Sequence, residues 1–271
     1  MNLGPDDLVL SSGSLDNPPV EVLIEAAVAG GFAGLTLWPA VYPPDPAIGE
    51  RIRDAGLAVV DMDAAIVWVG PDDPGGPYYE EAPRGTVFEA AAALGATGVN
   101  TLLVCPGPTS REQVVAAMAD LADQGASVGV DVYMEFSRNR PVPDPLAAAE
   151  VVAATGRPNC GLTVDFWHVH HGPGDFSDFA AVPGHLIGAI QLNDAPAEPP
   201  SDLAWATRHC RGVPGEGAID LLGALRTMRE AGCAAPITLE VFDGERLASL
   251  GPVGFARLLG DATRRVLAGT G

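Results

Sequence analysis

Four apolar runs in the second half of this chain each end on an oxygen-bearing side chain: Val132 to Glu135, Gly161 to Asp165, Ile187 to Gln191 and Ile237 to Glu240. One strand that ends in an acid carries no message, because any single such residue is more often a helix cap or a loop side chain. Four in succession are different. Three carboxylates and an amide gathered at one end of a parallel barrel would repel one another unless a cation neutralised them. The pattern therefore points to a single divalent-metal site with Glu135, Asp165, Gln191 and Glu240 as ligands. Oxygen donors favour manganese or magnesium, with cobalt, iron and zinc also compatible.

Other residues near these runs have types that do chemistry. His168 follows Asp165 by three positions, where an imidazole would serve as a general base or a hydrogen-bonding partner for substrate. His170 and His171 share that segment and read more simply as packed or solvated loop residues. Arg208 and Arg211 flank a Gly-rich turn and have the fork geometry that holds a carboxylate or an enolate oxygen. Trp38 and Trp167, at strand ends, would wall a pocket, together with Trp68.

The elements that must position these groups alternate strand and helix. Strands are expected over Leu8–Ser12, Phe32–Trp38, Leu57–Asp61, Gly98–Val104, Ser127–Glu135, Gly161–Asp165, Ile187–Gln191 and Pro236–Val241. Helical patterns lie between them, with Ser110 or Thr109 placed to cap one and Asp144–Pro145 to open another. The last helix is expected over Val253–Leu267. Eight βα units in 271 residues argue one domain over the whole chain, a closed (β/α)8 barrel whose site lies at the C-terminal ends of the strands. No G-x-G-x-x-G follows the first strand, which weighs against an open nucleotide-binding sheet. The segment Val69–Pro83, rich in Gly, Pro, Asp and Tyr, is expected to be a functional or mobile loop.

Composition narrows the chemistry further. Fifteen basic against 35 acidic residues give a formal charge of −20, which repels a phosphate backbone and excludes nucleic acid as a partner. Every basic residue is arginine, so Schiff-base chemistry at a lysine is ruled out. Cys105, Cys160, Cys210 and Cys233 show no CxxC spacing and read as free thiols. No apolar run approaches a membrane span, and the expectation is a soluble, cytoplasmic protein with no membrane partner.

Taken together, Met134-Glu135-Phe136, Val164 to His168, Gln191 to Pro196, Arg211 to Gly217 and Leu239 to Phe242 resemble the xylose-isomerase-like TIM-barrel superfamily, over essentially the whole chain. The superfamily holds sugar epimerases, inosose-processing enzymes and 3-dehydroshikimate dehydratases. The resemblance implies one divalent metal on Glu135, Asp165, Gln191 and Glu240, with His168 and Arg211 touching substrate. It makes Glu135 and Glu240 the acid–base pair. Position 191 departs from the histidine usual in epimerases, and the segment after it is closer to the dehydratases. The implied activity is a metal-dependent isomerase or epimerase acting on a keto-sugar or polyol through an enediolate. Dehydration of a cyclic hydroxy-ketone such as 3-dehydroshikimate or an inosose is the alternative, and a barrel that only binds a ligand is the third reading. A homo-oligomer is expected on the resemblance alone.

Overall fold

The computed structural model describes residues 3–4, 6–69, 84–105, 107–138, 140–198 and 200–269. Eight strands close into a parallel barrel in chain order: β1 (Leu8–Ser11), β2 (Gly34–Leu37), β3 (Ala58–Trp68), β4 (Gly98–Val104), β5 (Asp131–Glu135), β6 (Cys160–Asp165), β7 (Ile187–Leu192) and β8 (Ile237–Leu239). Closure is made by β1 pairing β8, with Leu8 opposite Ile237 and Leu10 opposite Leu239. The expected (β/α)8 barrel is therefore the fold. Most of the 69–83 loop lies outside the described residues.

The helices are α1 (Val20–Gly30), α2 (Pro46–Asp54), α3 (Arg84–Leu94), α4 (Arg111–Val128), α5 (Pro145–Thr155), α6 (Phe166–His170), α7 (Leu203–Ala206), α8 (Leu221–Glu230) and α9 (Gly244–Leu267); α6 and α7 are single turns after β6 and β7, and the others form the outer layer. Local chemistry sets their starts. Ser110 and Gln113 form a reciprocal capping box on α4, which satisfies two backbone donors that have no partner inside the helix. Asp144 accepts from the Ala147 amide, and Pro145 occupies the first turn of α5, where its missing N–H costs nothing. Outward strand residues such as Met134 and Val132 pack under this layer in one continuous apolar core. Among the described residues no helix is long and apolar enough to cross a membrane, and all four cysteines are free.

Strand ends shift by one or two residues at β1, β2, β6 and β7, and four larger differences follow from local features. β5 begins at Asp131 and not at Ser127, because α4 runs through Val128 and stops only at Gly129, whose φ of 80° suits glycine. β3 continues from Asp61 to Trp68, and its pairing with β4 slips between Met62 and Ala65, so Asp63 sits in a bulge. β8 is shorter than Pro236–Val241, which leaves Glu240 just beyond the ladder. The last helix starts at Gly244 and bends at Gly251–Pro252.

Near the N-terminal ends of the strands, the Tyr133 ring lies against three neighbouring strands, with its hydroxyl facing Asp131. A Cβ added at Gly188 would lie 2.0 Å from the Tyr133 ring, one at Gly98 2.5 Å and one at Gly161 3.1 Å. Glycines on β4, β6 and β7 thus make room for one large residue of β5. Two residues further along β5 stands Glu135, one layer above the ring.

Candidate metal centre

β5, β6 and β7 deliver Glu135, Asp165 and Gln191 in register, since Glu135 pairs Thr163 and Asp165 pairs Gln191. Glu240 follows β8 directly, and its amide donates to the Leu192 carbonyl. All four side chains are at least 94% buried. The four expected ligands are therefore one buried cluster at the C-terminal mouth.

Arg211 joins them. Its Nη1 donates to Asp165 Oδ2 at 2.6 Å and also to Glu240 Oε2, and its Nε donates to the Thr207 carbonyl at 2.8 Å. The guanidinium lies over the Phe242 ring at 4.7 Å. Asp165 Oδ1 accepts from the Trp167 amide and from Asn193 Nδ2, both at 2.9 Å, so its carboxylate is held from two sides. His168 lies on the one-turn helix α6 that Asp165 caps, in a segment expected to be loop. Its Nε2 is 3.0 Å from Glu135 Oε1 and 3.7 Å from Asp165 Oδ2.

Asp63, in the β3 bulge, was not foreseen. Its Oδ1 accepts from Asn100 Nδ2 at 2.7 Å and its Oδ2 from Gln191 Nε2 at 3.0 Å. The same Asn100 nitrogen donates to Glu135 Oε2 at 2.8 Å. A sequence signal did exist: Asp61 and Asp63 alternate polar with apolar residues, as a strand lined by a polar interior does.

Packing these acids together spreads the proton affinities of Glu135, Glu240 and Asp63. Burial pushes the Glu135 carboxyl up, yet the hydrogen bond and charge of His168, helped by Arg211 and Asn100, hold it below its ordinary value. Burial raises Glu240 well above its ordinary value; Arg211 opposes the shift, while Asp63, Asp165 and Glu135 add to it. Burial and the charge of Glu135 push Asp63 up to about 6. The guanidinium of Arg211 is itself pushed up by Asp165 and Glu240 against the cost of its burial.

Three groups of the cluster could hold a divalent cation, and Glu240, bound to Arg211, is not one of the three. Glu135, Asp165 and His168 bring one ligand atom each within 4.8 Å of one another. Gln191 Oε1 is buried with no hydrogen-bond partner among the described residues, a cost that a cation would remove. Carboxylate and amide oxygens with a neighbouring imidazole suit several divalent ions.

The remaining expected residues differ in their placement. Trp167 is fully buried; its Nε1 donates to Thr207 Oγ1 at 3.0 Å, and it lines a small cavity with Ser137, Arg138, His168, His171 and Thr207. Trp38 stacks edge-on to Phe242 at 6.4 Å and covers Gly13. Arg208 is exposed, three positions before the buried Arg211.

The chain is similar to known proteins to different extents. The family model described as xylose isomerase-like TIM barrel matches residues 24–256. A 3-dehydroshikimate dehydratase of Pseudomonas aeruginosa is 33% identical over 158 residues, covering 56% of this chain and 25% of that protein. This chain therefore corresponds to only a minor part of that dehydratase. An inosose isomerase of Bacillus velezensis is 28% identical over 207 residues, covering 73% of this chain and 72% of that protein. Among solved structures, one described as IOLI protein with a binding zinc atom superposes with a TM-score of 0.82 at 19% identity, over 98% of this chain and 99% of that one. At that identity the likeness is one of fold.

Proposed function

Because this chain belongs to the xylose isomerase-like TIM-barrel family, we propose that it is a divalent-metal-dependent isomerase or epimerase of a keto-sugar or related hydroxy-ketone. The observation that carries the reading is the buried cluster itself, in which Glu135, Asp165 and His168 bring one ligand atom each within 4.8 Å of one another. In the metal-free chain Arg211 Nη1 donates to both Asp165 and Glu240. A divalent cation on those oxygens would take its place and leave the guanidinium to meet an oxygen of the substrate.

Glu135, Asp165, Gln191 and Glu240 would hold the cation, with His168 beside Glu135. Bound there, a divalent cation polarises a carbonyl and acidifies the neighbouring C–H. The chain's own part is proton handling. Glu135 on β5 and Glu240 beyond β8 approach the mouth from different sides, so one takes a proton from the substrate carbon and the other returns one to the opposite face. His168 steadies Glu135 through its 3.0 Å contact, and Asn100 holds the other Glu135 oxygen. Trp167 and Thr207 close the wall above His168.

The test is incubation with inososes and keto-sugars in D₂O. Deuterium in recovered substrate or its epimer supports the proposal. A second reading has its own observation: Arg138 lines the cavity beside His168 and offers a cation to an acidic ring substrate. Conversion of 3-dehydroshikimate to an ultraviolet-absorbing aromatic product, with no exchange in the neutral ketones, would replace the isomerase reading with a dehydratase.

A further inference from the structure

We infer that Asp63 is a positioning residue that decides which end of the Gln191 amide faces the cation. The inference rests on the reading of the cluster as a divalent-metal site, and it concerns a residue outside the ligand set. A glutamine can bind a cation only through Oε1, and Nε2 in that place would present two N–H groups to a positive charge. Nothing in the glutamine itself chooses between the two orientations.

Asp63 makes the choice. Gln191 Nε2 donates to Asp63 Oδ2 at 3.0 Å, which leaves Oε1 buried, without a partner among the described residues and turned to the other side. With the amide reversed, Oε1 would meet Oδ2, and two acceptors would face each other. Asp63 cannot turn away to relieve this, because its Oδ1 accepts from Asn100 Nδ2 at 2.7 Å. Asn100 is itself held in place, because the same nitrogen donates to Glu135 Oε2 at 2.8 Å. Histidine ligands are commonly fixed when a carboxylate takes their second N–H. Asp63 performs that service for an amide, which lets glutamine stand where an imidazole would otherwise be needed. The β3 bulge turns Asp63 into this place, beside a strand seven residue that is remote in sequence.

The test is a double-mutant cycle read by Mn²⁺ affinity, with no substrate present. Chelator-stripped full-length protein, Asp63→Ala, Gln191→Ala and the double variant are titrated with Mn²⁺ in a calorimeter, and thermal unfolding checks each for folding. Asp63→Ala is expected to weaken Mn²⁺ binding about 10- to 100-fold, the range found when partners behind a ligand are removed. The double variant is expected to bind no more weakly than Gln191→Ala, because Asp63 acts through the glutamine. Should Asp63→Ala fail to fold, Asp63→Asn replaces it, since its amide nitrogen must oppose one of the two donors. Losses that multiply would reveal a plain charge effect and overturn the inference, as would Asp63→Ala binding Mn²⁺ like the parent. A parent that binds no Mn²⁺ would overturn the metal reading itself, and the inference with it.

Discussion

Replacing Asp61 by asparagine should make this protein more stable, and more so as the pH rises. Asp61 points into the barrel from β3, is 3% exposed, and its Oδ1 has no hydrogen-bond partner among the described residues. Burial pushes its carboxyl from 3.8 up to about 7; the Thr36 hydroxyl offsets part of the shift and the charge of Asp63 adds to it. The unfolded chain loses this proton near 3.8, whereas the native protein keeps it until about 7. Between those values the native state binds more protons than the unfolded state, so stability falls as pH rises and levels off above the native value. Holding the proton from 3.8 to about 7 corresponds to about 4 kcal/mol at full development, and to about 2 kcal/mol at about pH 5. Asparagine cannot ionise and keeps the shape. In urea denaturation of metal-free protein, Asp61→Asn should therefore gain about 2 kcal/mol at about pH 5 and about 4 kcal/mol at about pH 8. A gain independent of pH, or a loss at the higher pH, would refute the account of Asp61 as a buried acid held protonated by desolvation.

Three further outcomes are expected. Glu135→Gln should lower deuterium exchange at least about 100-fold while leaving thermal unfolding of the metal-free protein within a few degrees of the parent; retained exchange would remove Glu135 from the chemistry. Arg211→Met leaves Asp165 and Glu240 buried without their cation, so the metal-free variant should lose about 3–5 kcal/mol in denaturant titrations, with added Mn²⁺ restoring part of it. Gly188→Ala drives a methyl into the Tyr133 ring, where a Cβ would lie 2.0 Å away, and should cost about 1–3 kcal/mol. Adding Tyr133→Leu should recover some of that loss, and no recovery would mean that the clash is not the cause.

What the sequence made legible was set by position along strands. Glu135, Asp165, Gln191 and Glu240 close apolar runs, and the barrel turns a shared place in each run into a shared place in space. Asp63 was hidden because β3 carries polar inward residues and a bulge, so its apolar run breaks at Asp61 while the strand continues to Trp68. The tie between Asp63 and Gln191 spans 128 positions, and no local pattern reports such a contact. Arg211 was legible as a functional arginine from its Gly-rich surroundings. Its commitment to Asp165 and Glu240 was not, because that depends on how the segment after β7 folds back over the mouth; the paired backbone bonds of Asp194 with Gly212 are part of that return.

Tyr133 and the three glycines around it have a bearing on isotope bookkeeping. The ring lies one layer below Glu135, which is 6% exposed. If the barrel turns over a ketone by proton transfer, a hydron lifted from carbon onto so buried an acid should be returned more often than it is traded with the bulk. Label transfer within one molecule should then outpace wash-in from D₂O. The ratio of the two would gauge how well the site is shielded from solvent, and Tyr133→Ala should shift it toward solvent.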